Sequence, residues 1–152
     1  MFSLTGLSSA AMAALIVACA LSPTRSHGTG QIVPSQSWNL LLHISGGLAG
    51  FNRELRVSST GDVTATDRRR QVTAARRLSA SELTQLDSLV AKLSANQSTT
   101  NARCRDCLLY HVEIRTSVST ITADLDDTTI VETAFEPLVK AAAKLLTEVL
   151  SK

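Results

Sequence analysis

Two cysteines, Cys104 and Cys107, are separated by two residues in the segment CRDC. A pair at this spacing serves in thiol–disulfide exchange, in half of a zinc site or as a local disulfide. Redox motifs place the first sulfur at a helix N-terminus, where the helix dipole stabilises the thiolate, whereas this pair leads into a predicted strand. The sequence favours a disulfide between Cys104 and Cys107 and leaves zinc binding and redox exchange open.

A zinc site at this pair would need about four ligands. With Cys19 assigned to an export signal, three histidines are available to complete it: His27, His43 and His111. His111 lies on the predicted strand that follows Cys107, where a single histidine is usually a polar surface residue. We therefore expect neither a metal nor another cofactor.

The segment SGGLAGFNREL, residues 45–55, contains three glycines within five residues. Its pattern is G-G-x-x-G rather than G-x-G-x-x-G, and a predicted strand follows it, so no helix N-terminus is there to receive a phosphate. The glycines favour a tight chain reversal between two strands. We also take this turn as the candidate partner-binding segment. It comprises Ser45, Gly46, Gly47, Leu48, Ala49, Gly50, Phe51, Asn52 and Arg53.

An arginine-rich segment, DRRRQVTAARR, covers residues 67–77. Proteins that bind nucleic acid usually interleave aromatic side chains for stacking, and this segment has none, so we expect no nucleic-acid partner. Two interpretations stay open: a solvated edge strand whose charges discourage sheet-to-sheet aggregation, and a basic patch for an acidic partner or lipid headgroups. The basic side chains are Arg68, Arg69, Arg70, Arg76 and Arg77.

Residue combinations typical of catalysis do not stand out. No serine lies in a nucleophile-elbow context, and no nucleophile has an evident base. The acidic segment 124–127 lacks the spacing and the glycine of an EF-hand. We expect a protein that is not an enzyme.

Composition and charge describe one ordinary globular domain. Of 152 residues, 44% are hydrophobic but only 3% aromatic, so an aliphatic core is expected. The net charge of +2 is too small to imply nucleic-acid binding by itself. The charge is uneven, because residues 52–77 hold seven arginines against three carboxylates, whereas residues 124–152 hold three lysines against six carboxylates. We expect a dipolar monomer.

Alternating apolar and polar residues predict the sheet. Strands are expected at residues 38–45, 54–58, 63–67, 108–115 and 121–125, with 68–77 left open as a further short edge strand. Ser79 and Glu82 have the spacing of a capping box, which predicts a helix over about residues 80–95. Pro137 begins a second helix. Its apolar stripe comprises Leu138, Ala142, Leu145 and Val149.

These elements predict an α+β fold. We expect an antiparallel sheet of about four to five strands, arranged as two hairpins, with two helices packed on one face. The predicted order is β-β-β-α-β-β-α.

The amino terminus has the features of an export signal. Residues 1–24 carry no charged side chain, and residues 10–21 form an apolar run that is short for a membrane-spanning helix but fits a secretory signal. Within it, IVAC at residues 16–19 resembles the bacterial lipobox, which makes Cys19 the expected lipidated first residue. No Lys or Arg precedes the run, so cleavage without lipidation and an uncleaved anchor stay open.

The domain boundaries follow from this assignment. We predict a signal sequence at 1–19, a flexible tether at 20–37, which is rich in Ser, Gly, Thr and Pro, and a single α+β domain at 38–152. The protein is expected to be exported, either anchored in the cell envelope through a lipid on Cys19 or free in the periplasm or outside the cell.

Four segments together resemble the emfourin family: the glycine segment, LSASELTQLDSLV, the strand CLLYHVEIR, and LDDTT before a Pro-Leu helix. This family consists of small bacterial proteins whose characterised members inhibit protealysin and related thermolysin-like zinc peptidases. The similarity spans about residues 42–150. The family pattern Ser-Gly-Gly-Phe-Ala-Gly with a following arginine is matched by Ser45, Gly46, Gly47, Ala49, Gly50 and Arg53. Leu48 stands in place of the phenylalanine.

The resemblance implies a metallopeptidase inhibitor. A glycine-rich segment beside a strand can lie in an extended enzyme cleft, pairing its main chain with the enzyme while Leu48 or Phe51 fills a pocket. The lipid anchor, the arginine-rich segment and the CRDC loop depart from the family pattern. The alternative function is therefore an envelope lipoprotein that acts as a binding or scaffolding module without inhibitory activity.

Overall fold

The computed structural model describes residues 36–93, 99–100, 102 and 104–151. The predicted signal sequence, Cys19 and the tether up to residue 35 lie outside the described residues. The described residues from 36 onward form one compact unit. In chain order its elements are β1 (Trp38–Gly46), β2 (Phe51–Ser58), β3 (Asp62–Asp67), β4 (Val72–Arg77), α1 (Ala80–Ala91), β5 (Thr99–Thr100), β6 (Leu108–Thr116), β7 (Thr120–Asp126) and α2 (Glu136–Leu150).

The sheet has the strand order β4-β3-β2-β1-β6-β7-β5. Every neighbouring pair is antiparallel except β5 and β7, which pair in parallel over two residues. The predicted α+β class is confirmed. β1 lies at the centre of the sheet because it pairs with β2 on one side and with β6 on the other.

The predicted strand count and element order are wrong. In the described part of the chain, six antiparallel strands occur rather than four to five, and four of them precede α1. The difference is β4, which pairs with β3 along its whole length and forms the edge of the sheet. The edge-strand interpretation left open for residues 68–77 is therefore confirmed for 72–77. α1 also ends at Ala91 rather than near residue 95.

One face of the sheet carries the core. Residues at alternate positions of β1 are buried against the helices, beginning with Trp38 at 3% exposure. We call this side the helix face and the opposite, largely polar side the open face. The predicted stripe of α2 is buried, with Leu138 at 1% exposure and Val149 at 2%. Burying a leucine or valine of this kind stabilises the fold by about 2 kcal/mol.

A capping box begins α1, as the sequence predicts. The Ser79 hydroxyl accepts a hydrogen bond from the Glu82 backbone N–H, and the Glu82 carboxylate accepts one from the Ser79 backbone N–H at 2.8 Å. Arg76, on β4, donates through both terminal nitrogens to Glu82 at 3.0 and 2.6 Å and lies 3.7 Å from Glu148. One guanidinium thus joins the edge strand to both helices.

This cluster makes the stability of the domain sensitive to acid. The hydrogen bonds from Arg76, followed by that from the Ser79 backbone, lower the pKa of Glu82 from 4.5 to about 2. A depressed pKa in the folded state contributes stability above the unfolded pKa and loses it as pH falls through the folded one. We expect Glu82→Gln to destabilise the domain at about pH 7 by ~1 kcal/mol, and the difference from the unaltered chain to shrink towards pH 2.

Urea unfolding followed by Trp38 fluorescence measures this difference, since Trp38 is the only tryptophan. Lys140→Met, on the exposed side of α2, is the matched control and removes an exposed ion pair with Glu136. A pH-independent gap between Glu82→Gln and the unaltered chain would show that the Glu82 carboxylate does not carry the effect.

Candidate functional site

Four loops meet at one end of the sheet. They are the β1–β2 turn at residues 47–50, the β3–β4 turn at 68–71, the CRDC loop at 104–107 and the turn after β7 at 127–129. The Gly47 N–H donates to the carbonyl oxygen of Cys107 at 2.9 Å, and the Arg69 guanidinium donates to the carbonyl oxygen of Ala49. The glycine turn is therefore held from both sides, and we call this arrangement the loop cluster.

The glycines adopt a backbone conformation that other residues rarely adopt. Gly46 has a φ of +84° and Gly47 a φ of +66°. A Cβ atom added to Gly46 would lie 2.8 Å from the carbonyl oxygen of Cys107, which is closer than such atoms approach in folded proteins. Glycine is needed here both for the turn and for close approach to the CRDC loop.

Leu48 occupies the tip of the turn and is 94% exposed. A single exposed leucine is common on protein surfaces and is no evidence of function by itself. Here it is presented by a backbone fixed at Gly47 and Ala49, so a partner that approaches the turn meets an apolar side chain in a defined position. By contrast, Phe51 is half-buried, and the Arg53 guanidinium lies 4.7 Å from the centre of its ring.

The arginine side of the loop cluster is organised by Asp67, which is only 3% exposed. Its carboxylate accepts hydrogen bonds from Arg53 Nε at 2.9 Å and from the backbone N–H groups of Arg69 and Arg70 at 3.2 and 3.1 Å. The Arg70 backbone hydrogen bond and then Arg53 lower the pKa of Asp67. A single buried carboxylate thus fixes the turn and orients Arg53.

The CRDC side is organised by Asp126, the last residue of β7, and by Asp127, which follows it. The structure joins Cys104 and Cys107 by a disulfide, with Cα atoms 5.5 Å apart. The Cys104 N–H donates to Asp126, which is fully buried, and the Leu108 N–H donates to Asp127, each at 2.9 Å. The loop is therefore tied to the sheet at both ends.

Tyr110 provides a spectroscopic test of this side. Its hydroxyl donates to Asp127 at 2.7 Å, and burial followed by this hydrogen bond raises the pKa of Tyr110 from 10.0 to about 12. A raised pKa contributes stability below the unfolded value and loses it as pH rises through the folded one. We expect the phenolate absorbance of the only tyrosine to appear near pH 12, with stability declining between about pH 10 and 12.

Asp127→Asn is the matched variant for this titration. It keeps the shape of the side chain but removes the negative charge, so the midpoint is expected to move back towards 10. Titration of the unaltered chain at the ordinary tyrosine value would contradict the described contact.

The five arginines of the predicted basic patch do not lie together. Arg68, Arg69 and Arg70 belong to the loop cluster, whereas Arg76 and Arg77 lie at the other end of β4, about 20 Å away at the usual rise per strand residue. Arg76 is engaged with the helices, and Arg77 lies 3.9 Å from Asp62. Only the first three arginines can act with the glycine turn.

His43 and His111 lie on the open face of the sheet, and His27 lies outside the described residues. His43 contacts Asn52 at 3.0 Å, and His111 contacts Asp124 at 2.6 Å. Among the described residues, no three His, Cys, Asp or Glu side chains are grouped to hold a metal ion. In the same part of the chain, no helix combines the length and apolar character needed to span a bilayer.

No family model matches the chain, and a search of curated proteins finds no relative. The emfourin resemblance therefore stays a prediction.

Sequence reasoning missed Asp67 and Asp127 as the carboxylates that organise the loop cluster. Each lies at or just after the end of a strand and before turn residues, which is the local signal of an aspartate that binds backbone N–H groups.

Proposed function

We propose that this protein is an exported, lipid-anchored, non-enzymatic domain that inhibits a thermolysin-like metallopeptidase. The glycine turn enters the extended cleft of the enzyme, pairs its main chain there and places Leu48 in a side-chain pocket. The observation that carries the proposal is the presentation of a 94% exposed leucine by a turn held on both sides. The resemblance of residues 45–53 to the emfourin pattern supplies the class of enzyme.

Rigidity supports this function physically. Binding costs the free energy of ordering a flexible loop, and a turn that is already fixed avoids most of that cost. Gly47 is held by Cys107, and Ala49 is held by Arg69. The inserted side chain is proposed to be Leu48 rather than Phe51, because Phe51 packs against the domain and under Arg53.

The test is inhibition by a chain that begins at residue 28 and contains the whole compact unit. We expect an inhibition constant of about 1 µM or lower, equivalent to ~8 kcal/mol of binding free energy, against at least one thermolysin-like enzyme of a panel. Circular dichroism confirms that the tested chain is folded. Unchanged activity of every enzyme in the panel would contradict the proposal.

A second function is favoured by the exposure of the β3–β4 turn at residues 68–71, which we call the arginine turn. The side chains of Arg68 and Arg70 are 57% and 73% exposed there. In this alternative the protein is an envelope lipoprotein that scaffolds an acidic partner. Binding is then salt-sensitive and is lost when Arg68, Arg69 and Arg70 are all changed to Gln. Mass spectrometry of the exported protein tests the lipid on Cys19, which both functions share.

A further inference from the structure

A cleft of about 420 Å³ separates the glycine turn from the arginine turn. Its lining residues include Arg53, Arg69 and Arg70 and a single acidic residue, Asp67. Three positive charges face one negative charge, so the lining has a net positive charge. Ala49, the neighbour of Leu48, also lines the cleft.

Asp67 leaves most of this positive charge uncompensated. Its carboxylate already accepts hydrogen bonds from Arg53 Nε and from two backbone N–H groups, and it lies 4.0 Å from Arg70 Nε. Arg69 donates to the carbonyl oxygen of Ala49, which is a neutral acceptor, so Arg69 keeps its full charge. The cleft therefore attracts a further anion.

Arg53 is positioned in advance for such an anion. Arg53 Nε donates to Asp67, and Arg53 Cζ lies over the ring of Phe51, 4.7 Å from its centre. Among the described residues Arg53 donates through Nε alone, which keeps the N–H groups of Nη1 and Nη2 for another acceptor. Two parallel N–H groups match the two oxygens of a carboxylate, and a preset guanidinium loses little entropy on binding it.

We propose that this cleft binds the side-chain carboxylate of an aspartate or glutamate on the protein partner that the glycine turn contacts. Arg53 forms the paired hydrogen bonds, and Arg70 adds a second positive charge from the rim. The inference rests on the proposed contact between the turn and a partner. Because the cleft adjoins Ala49, a partner that receives Leu48 brings an acidic residue beside it within reach, which adds specificity to an apolar contact.

The cleft can be tested without the partner. The probe is N-acetylglutamate α-amide, which carries one side-chain carboxylate, added to the ¹⁵N-labelled chain from residue 28. We expect saturable shifts, with a dissociation constant in the millimolar range, at the Arg53 Nε–H signal and at the backbone amides of residues 49–53. The neutral glutamine analogue is expected to give none. Shifts that are equal for both probes, or absent for both, overturn the proposal.

Two variants test whether the probe binds in the cleft or responds to surface charge in general. Arg70→Gln, at an exposed side chain, is expected to weaken binding of the probe at least about threefold without unfolding the domain. Arg115→Gln, an equally exposed arginine on the open face, is the matched control and is expected to leave binding unchanged. Equal weakening by both variants overturns the assignment.

Binding of inorganic phosphate tests whether the cleft takes a phosphate rather than a carboxylate. Saturable binding of phosphate in the cleft without binding of the carboxylate probe overturns the inference in favour of a phosphate site.

The outcomes also separate this inference from the proposed function. Peptidase inhibition without probe binding overturns the proposed carboxylate binding in the cleft and leaves the proposed function standing. Probe binding without inhibition of any enzyme overturns the proposed inhibitory function and leaves the carboxylate binding standing.

Discussion

Leu48→Asp is expected to raise the inhibition constant at least about 30-fold while leaving the free energy of unfolding unchanged within ~0.5 kcal/mol. Leu48 is 94% exposed, so the domain loses no core contact when it is replaced. In the complex, burial of a leucine contributes about 2 to 3 kcal/mol, and a carboxylate in the same pocket adds a desolvation cost. Each 1.4 kcal/mol corresponds to about a factor of ten in affinity.

The matched control for this change is Val118→Asp. Val118 is 79% exposed and lies in the β6–β7 turn, at the opposite end of the sheet. Val118→Asp makes the same change in charge and hydrophobicity as Leu48→Asp, but outside the loop cluster, so inhibition is expected to persist. Equal loss of inhibition by both variants would show that the effect comes from net charge rather than from the turn.

Gly46→Ala is expected to be the most destabilising single-methyl change in the glycine turn, lowering the free energy of unfolding by about 2 to 4 kcal/mol. A non-glycine residue at positive φ costs about 1 to 3 kcal/mol. At Gly46 the added methyl also meets the backbone carbonyl of Cys107 at 2.8 Å, which cannot move without disturbing the disulfide loop. Chemical denaturation gives the difference directly.

Gly50→Ala is the matched comparison. Gly50 also has a positive φ, +59°, but the nearest atom to its added Cβ is the end of the flexible Arg69 side chain at 3.8 Å. We expect a cost of about 1 kcal/mol from the backbone conformation alone. Gly47 is expected to fall between the two, because its added Cβ meets the movable end of Leu108 at 3.1 Å. Equal costs at Gly46 and Gly50 would contradict the close contact with Cys107.

The parts of the fold that the sequence predicts are those with local signals. The capping box at Ser79 and Glu82 lies within four residues, and the buried stripe of α2 repeats at helical spacing. The sequence leaves β4 open because its inward side carries the half-buried Ala74 and Arg76, and the charge of Arg76 interrupts the apolar alternation expected of a strand. The charge of Arg76 is compensated by Glu82 of α1 and Glu148 of α2. The residue pattern within the strand does not indicate these two ion pairs, because both partners lie on other elements.

The sequence predicts the candidate site as one segment but does not predict which residues surround it. The Ala49 carbonyl is contacted by Arg69, twenty residues away, and Gly47 by Cys107, which is farther still along the chain. These contacts depend on the strand order, which places the β3–β4 turn and the CRDC loop on either side of the glycine turn. The sequence shows the glycines, the arginines and the cysteines as three separate motifs, and the fold joins them into one surface.

The most direct test of the account is the mode of inhibition. A turn that occupies the substrate cleft competes with a peptide substrate, so the apparent inhibition constant of the chain from residue 28 should rise linearly with substrate concentration, and Leu48→Asp should raise it at every concentration. An apparent inhibition constant that does not change with substrate concentration, or inhibition that Leu48→Asp leaves intact, would contradict the proposal that the glycine turn enters the cleft.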